Sequence, residues 1–125
     1  MKKIINTSKA PQPIGPYNQA VLVNGTLYVS GQIALDSLSG KLELDDIVQE
    51  TKLVMRNLKA VLEAAEMDFS NVVKCSIFVK SMDDFAKINE VYGSFFASNY
   101  PARETLEVSC LPKDVNVEIS AIAVE

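Results

Sequence analysis

Val73-Lys74-Cys75-Ser76-Ile77-Phe78-Val79-Lys80, then Ser81-Met82-Asp83-Asp84, then Phe85, Ile88, Tyr92, Phe95 and Phe96 at helical spacing: this stretch decides the fold. Val73, Cys75, Ile77 and Val79 alternate with Lys74, Ser76, Phe78 and Lys80, the period of two that lays one face of a strand on a core. The period then lengthens to that of a helix. Ser81 with Asp84 has the spacing of a capping box at the start of that helix. Asn89 falls one turn after Phe85, on the stripe, where an apolar residue would be expected. The helix stops before Asn99-Tyr100-Pro101, and a polar-faced strand begins near Arg103. Strand, helix and strand joined by short connections describe helices laid on a sheet.

Working outward, Asp68 to Asn71 is a turn preceded by a second amphipathic helix. Its stripe is Ile47, Thr51, Val54, Leu58, Val61, Leu62 and Ala65, and it starts near Asp45 or Asp46, where Asp46 and Gln49 resemble a capping box. Asp36 to Gly40 is a loop. Tyr17 to Val23 and Thr26 to Ile33 are rich in β-branched and aromatic residues. Asn24-Gly25 between them predicts a type I′ hairpin, because both central positions need positive φ. Gly31 predicts a bulge or a close backbone approach. The segment to Pro16 reads as an extended arm ending in a turn at Ile14-Gly15-Pro16. The expected order is β-β-α-β-α-β-β in a single domain spanning 1–125. The class is α+β: a two-layer sandwich, both helices on one face of a mixed sheet, with an antiparallel hairpin at each end.

At 125 residues and 48% hydrophobic content, the chain can bury roughly two-thirds of its unfolded surface. The net charge is -4 and the 12 Lys and Arg are scattered. Without a basic stripe to neutralise phosphates, nucleic acid is not an expected partner. His is absent, and Cys75 and Cys110 stand apart from any metal-ligand spacing, so no metal or zinc site is expected. Both cysteines read as small buried hydrophobes. No apolar stretch has the length of a signal peptide or a membrane span, so no membrane partner is expected and the expected location is cytoplasmic.

The last third carries the chemistry. Arg103, Thr105, Glu107 and Ser109 share one parity, and Leu106, Val108 and Cys110 the other. After Leu111-Pro112-Lys113-Asp114, Val115, Val117, Ile119, Ala121 and Ala123 alternate with Asn116, Glu118 and Ser120. Arginine offers a planar fork for a carboxylate; Glu118 can hold or move a proton. A hairpin centred on Pro112-Lys113 would set Glu107 opposite Glu118. One of these like charges should then be paired, or its proton affinity raised. Arg103 would lie four residues from Glu107, ~13 Å at ~3.3 Å per residue. That exceeds the reach of one small substrate and points to a contribution from another element or another copy of the chain. Bland readings stand beside these. Arg103 could form a weak surface ion pair with Glu104 or Glu107. Glu118 could be solvated, Tyr17 an edge aromatic, Ser30 a plain strand residue, and Asn89 a helix residue bonding a nearby loop.

Ile14-Gly15-Pro16-Tyr17, Tyr28 through Ile33, Asn57 through Ala65, Asn89 through Tyr92, Pro101-Ala102-Arg103, and Leu111-Pro112-Lys113 through Val117-Glu118-Ile119 together resemble the Rid family (the YjgF/YER057c/UK114 group), most nearly its RidA-type deaminases. The resemblance covers essentially the full length. It implies a chorismate-mutase-like fold and a homotrimer with sites between subunits. The implied activity is hydrolysis of reactive enamines and imines (2-aminoacrylate, 2-iminobutanoate) to 2-oxo acids and ammonia, as in a 2-iminobutanoate/2-iminopropanoate deaminase that needs no cofactor. It also implies that Arg103 grips the substrate carboxylate, that Glu118 positions water, and that Tyr17, Ser30, Gly31, Asn89 and Thr105 line the cleft. Many relatives have Ser-Cys after the arginine where this chain has Glu104-Thr105, and many have arginine where Cys110 stands. The thiol-based behaviour of some members therefore does not transfer. The alternative is a non-catalytic trimeric sensor of 2-oxo acids or related carboxylates. A ribonuclease activity attributed to some relatives fits poorly with the charge and the missing His.

Overall fold

Asn24 and Gly25 take φ of 50° and 78°, the two left-handed positions of a type I′ turn. They join β2 (Ala20–Val23) to β3 (Thr26–Gln32), with Val23 facing Thr26 and Ala20 facing Val29. β2 starts later than the run from Tyr17 predicts. The Ser30 N–H bonds Gln19 O (2.9 Å) and its hydroxyl bonds Asn18 O (2.6 Å). These contacts tie residues 18 and 19 to the end of β3 without continuing the strand. The register then shifts between Val29 and Gln32, the irregularity that a strand glycine at 31 predicts.

The computed structural model describes residues 1–125. The further elements are β1 (Lys3–Ile5), α1 (Ile47–Ala64), β4 (Val72–Val79), α2 (Phe85–Ser94), β5 (Ala102–Glu107) and β6 (Val117–Val124). One mixed sheet runs β1-β2-β3-β6-β4-β5, and the buried faces of α1 and α2 join one core with it. This is the expected α+β two-layer class. β1 adds a strand to the expected order: Ile4 faces Val21 at the edge of the sheet. Three residues are too few for a period of two to show in sequence. The rest of the arm is gathered by Gln19, which is buried. Its side chain accepts from Thr7 N–H (2.6 Å) and donates to Thr7 O (3.0 Å) and Pro11 O (2.8 Å).

The terminal hairpin does not form. β5 runs parallel to β4, with Cys75 facing Arg103 and Ile77 facing Thr105. α2 is the crossover that a parallel pair requires. β6 inserts between β3 and β4, antiparallel to both. Val117, Ile119, Ala121 and Ala123 of β6 are buried, whereas Leu106 of β5 is 49% exposed, so β6 takes the centre and β5 the edge. The expected tight turn is instead a 3-10 turn, Pro112–Asp114, with Lys113 and Asp114 both left-handed (φ 55° and 56°). It carries the chain past the end of β4, where Lys80 N–H bonds Asn116 O (3.0 Å). Cys110 is exposed rather than buried, because it lies on this connector; Cys75 is buried as expected.

In α1, Val54, Leu58, Val61 and Leu62 are wholly buried, as the stripe predicts. Asp46 caps the helix by accepting from Val48 N–H (2.8 Å). The stripe missed two buried polar residues, Glu50 and Asn57. Asn57 donates to Ile33 O and Leu35 O, both at 3.0 Å, pinning the chain that leaves β3. The Ser81 hydroxyl accepts from Asp83 N–H (3.1 Å), so it caps a 3-10 turn, Met82–Asp84, that leads into α2. No helix is long and apolar enough to cross a membrane.

Candidate active site

Register sorts the chemistry onto two faces of the sheet. Paired residues of neighbouring strands share a face, so Arg103 and Thr105 stand with Cys75 and Ile77 on the helix side. Glu118 pairs with Phe78, on the opposite face. The shared polar face expected for Arg103, Glu107 and Glu118 rested on the hairpin and is not formed. Nor do Glu107 and Glu118 oppose each other. Glu107 faces Val79, and its carboxylate accepts from Met82 N–H (2.8 Å).

On the helix side, α2 builds a cradle for Arg103. Phe85, Asn89 and Tyr92 recur at i, i+4 and i+7, one helical face. The guanidinium carbon lies 5.6 Å from the Phe85 ring centre and 5.1 Å from that of Tyr92, within cation–π range. Nη1 donates to Asn89 Oδ1 at 2.5 Å. This accounts for the polar residue on an apolar stripe: Asn89 faces the arginine of β5. No carboxylate pairs with Arg103. Glu104 is taken by Lys74 (3.0 Å) and the Ser76 hydroxyl, which answers the surface ion-pair reading. A guanidinium has five N–H donors, and Asn89 is the one partner they find. The group borders a cavity of about 630 Å³, lined also by Gly93, Tyr100 and Pro101.

Glu90 is the one carboxylate among the residues lining this cavity, and it forms no ion pair with Arg103. Burial pushes the Tyr92 phenol up, and the Cys75 thiol beside it is also pushed up by burial. The Tyr92 and Thr105 hydroxyls are buried without a geometrically good hydrogen-bond partner; the adjacent thiol is a weak one. Tyr92 and Phe85 as parts of the cradle were missed in sequence, where they counted only as core; their shared spacing with Asn89 was the available signal.

The second group of candidate residues lies at the bulge. The Glu118 side chain crosses the Gly31 backbone so closely that a Cβ at residue 31 would come within 2.8 Å of its carboxyl carbon and 3.0 Å of its Cγ. Gly31 is required by this approach rather than by its backbone angles. Burial raises the Glu118 pKa above its ordinary 4.5, and no cation pairs with it. Tyr17 and Gly31 line a small recess of about 40 Å³ together with Lys113. The Tyr17 ring is 49% exposed. Ser30 is nearby in sequence, but its hydroxyl proton is committed to Asn18 O (2.6 Å). One chain thus brings together Arg103, Asn89 and Thr105, and separately Glu118, Gly31 and Tyr17. It does not bring the two groups onto one face.

Comparison with known proteins gives a consistent result. Residues 7–125 match the family described as Endoribonuclease L-PSP. A RutC family protein of Pyrococcus horikoshii is 48% identical, over 98% of each chain. The human 2-iminobutanoate/2-iminopropanoate deaminase is 44% identical, over 100% of this chain and 91% of its own. Among solved structures, E. coli TdcF with bound serine superposes with a TM-score of 0.95 at 40% identity, over 98% of each chain. The chain therefore belongs to the Endoribonuclease L-PSP family, the Rid group whose motifs run from Ile14 to Ile119.

Proposed function

We propose that the protein hydrolyses reactive imines of small 2-amino acids, such as 2-iminobutanoate and the imine of 2-aminoacrylate, to 2-oxo acids and ammonia. The site would be completed by a second copy of the chain, within a homotrimer. The observation that carries this reading is Arg103: a cradled guanidinium lining a cavity and ion-paired with no carboxylate of its own chain. Its fork suits an α-carboxylate. A relative that binds serine and a relative named for imine deamination support the same substrate class. The separation of Arg103 and Glu118 onto opposite faces supports two chains per site.

The chemistry asks for orientation more than activation, since an iminium carbon is already electrophilic. The substrate carboxylate sits on Arg103. Water adds to the imine carbon and gives a proton to the ionised Glu118 of the facing chain. The resulting carbinolamine takes that proton back on nitrogen. As the C–N bond breaks, Glu118 takes the hydroxyl proton of the carbinolamine, leaving the 2-oxo acid and ammonia, which departs with that proton as ammonium. Burial raises the Glu118 pKa, bringing it closer to the working pH and making the carboxylate a stronger base.

A coupled assay tests this. A serine or threonine dehydratase generates the enamine, semicarbazide traps imine that survives, and 2-oxo acid release is timed. Wild type is expected to accelerate release. Arg103→Ala is expected to lose ~2–5 kcal/mol of transition-state binding. Acceleration by neither protein would overturn the deaminase reading, and equal acceleration by both would remove Arg103 from its role. Sedimentation of the wild type checks the trimer.

A further inference from the structure

Glu50 is a charged residue wholly buried in the first turn of α1, and it belongs to no ion pair. Both carboxylate oxygens are held by one residue. Oε2 accepts from the Asn116 backbone N–H at 2.8 Å, and Oε1 from Asn116 Nδ2 at 2.7 Å. Burying a carboxylate without a counter-charge is unfavourable unless its hydrogen bonds are met. The N-terminus of a helix eases that burden, and Asn116 supplies the two donors. Asn116 is held a third time, through its carbonyl, by Lys80 N–H (3.0 Å).

The place of Asn116 gives this anchor its meaning. It is the bend at which the chain leaves the connector and becomes β6. Just before it, Lys113 and Asp114 are both left-handed, a conformation that non-glycine residues keep only where their surroundings over-determine it. Two residues after it stands Glu118, ~7 Å along the strand, its side chain packed across Gly31. One residue separates Asn116 from Glu118 along the chain, whereas Arg103 lies on β5, two strands from β6 and against α2.

We propose that Glu50 is a positioning residue for Glu118: through Asn116 it sets where β6 begins, and so where the Glu118 carboxylate stands over Gly31. The kinetic consequence rests on the deaminase function proposed above; the geometric one does not. Glu50→Gln turns one acceptor towards a donor and breaks one of the two bonds. Combining it with Asn116→Asp restores both. The oxygen of the amide introduced at position 50 can accept from the backbone N–H of residue 116, while its nitrogen donates to the carboxylate introduced there.

The experiment compares wild type, Glu50→Gln and the double variant by the coupled assay. In the same samples, carbon NMR records the Glu118 Cδ resonance, assigned by its loss in Glu118→Gln. The single variant should lower kcat by roughly 10- to 100-fold, as for a misplacement near 1 Å, with KM within about twofold because the Arg103 half is intact. Its Glu118 resonance should move, and the double variant should return both readouts to wild type. Unchanged kcat and resonance in Glu50→Gln would overturn the proposal, as would a loss that the double variant does not restore. If the single variant does not fold, the double variant decides: a wild-type resonance supports the proposal and a displaced one refutes it. If wild type does not turn over, the deaminase reading falls, and the Glu118 resonance alone decides the positioning role by the same criteria.

Discussion

Gly31→Ala separates catalysis from stability. The new Cβ would stand 2.8 Å from the Glu118 carboxyl carbon and 3.0 Å from its Cγ. Ordinary contacts of this kind lie near 3.5–4.0 Å, so the carboxylate must retreat by about 1 Å. Glu118 is half-buried and its end is free of ion pairs, so it can retreat by changing rotamer. Residue 31 does not have positive φ, so alanine carries no left-handed strain. It even gains ~0.4–1 kcal/mol by restricting the unfolded chain, against ~1–3 kcal/mol for overpacking. The expected net change in stability is a loss of about 1–2 kcal/mol. Catalysis should suffer more, because a water-orienting group misplaced by ~1 Å can cost ~100-fold, equivalent to about 2.7 kcal/mol of barrier. The coupled assay gives kcat/KM, and urea unfolding gives stability. Full activity with intact folding would refute the claim that the seat of Glu118 over Gly31 matters to the reaction.

Because Glu118 has a raised pKa and is the proposed base when ionised, kcat/KM should climb as pH rises through that pKa, above 4.5, and the residual activity of Glu118→Gln should lose this limb. The stability linkage has the same origin: a carboxyl that binds its proton more tightly in the folded state contributes stability at low pH that is lost as pH rises through its folded pKa. The unfolding midpoint of Glu118→Gln should therefore gain on wild type towards neutral pH; a constant difference from pH 4 to 8 would count against burial as the cause. Leu58→Ala in the wholly buried stripe of α1 should cost ~2–5 kcal/mol in urea unfolding, and a loss below 1 kcal/mol would mean that α1 is not packed as described.

Local patterns in the sequence were legible wherever neighbours in the chain decide the conformation. Asn24-Gly25 can satisfy its turn without reference to the rest of the molecule, and the α1 stripe and the alternation of β4 follow from periods that any core would require. Gly31 announced an irregularity that the register shift confirms. The pairing of β5 was not legible. A polar-faced strand, a proline turn and another strand look like a hairpin in sequence. Which strand fills the central slot depends instead on how much apolar surface each can bury between β3 and β4, a competition among segments far apart in the chain. That error carried a further one, because the parity assigned to Arg103 and Glu118 depended on it.

The sequence by itself determined the elements other than β1, the class of fold and, through several motifs in order, the family; each follows from short-range stereochemistry or from residues that stand one after another. Only the tertiary structure decided that Arg103 lies in a cradle of Phe85, Asn89 and Tyr92 while Glu118 stands across the sheet over Gly31. Only it joined Glu50 to Asn116, 66 positions apart. The physical reason is that a strand's side chains alternate, so the face on which a functional group emerges is set by its pairing partner, and that partner is chosen by burial across the whole sheet.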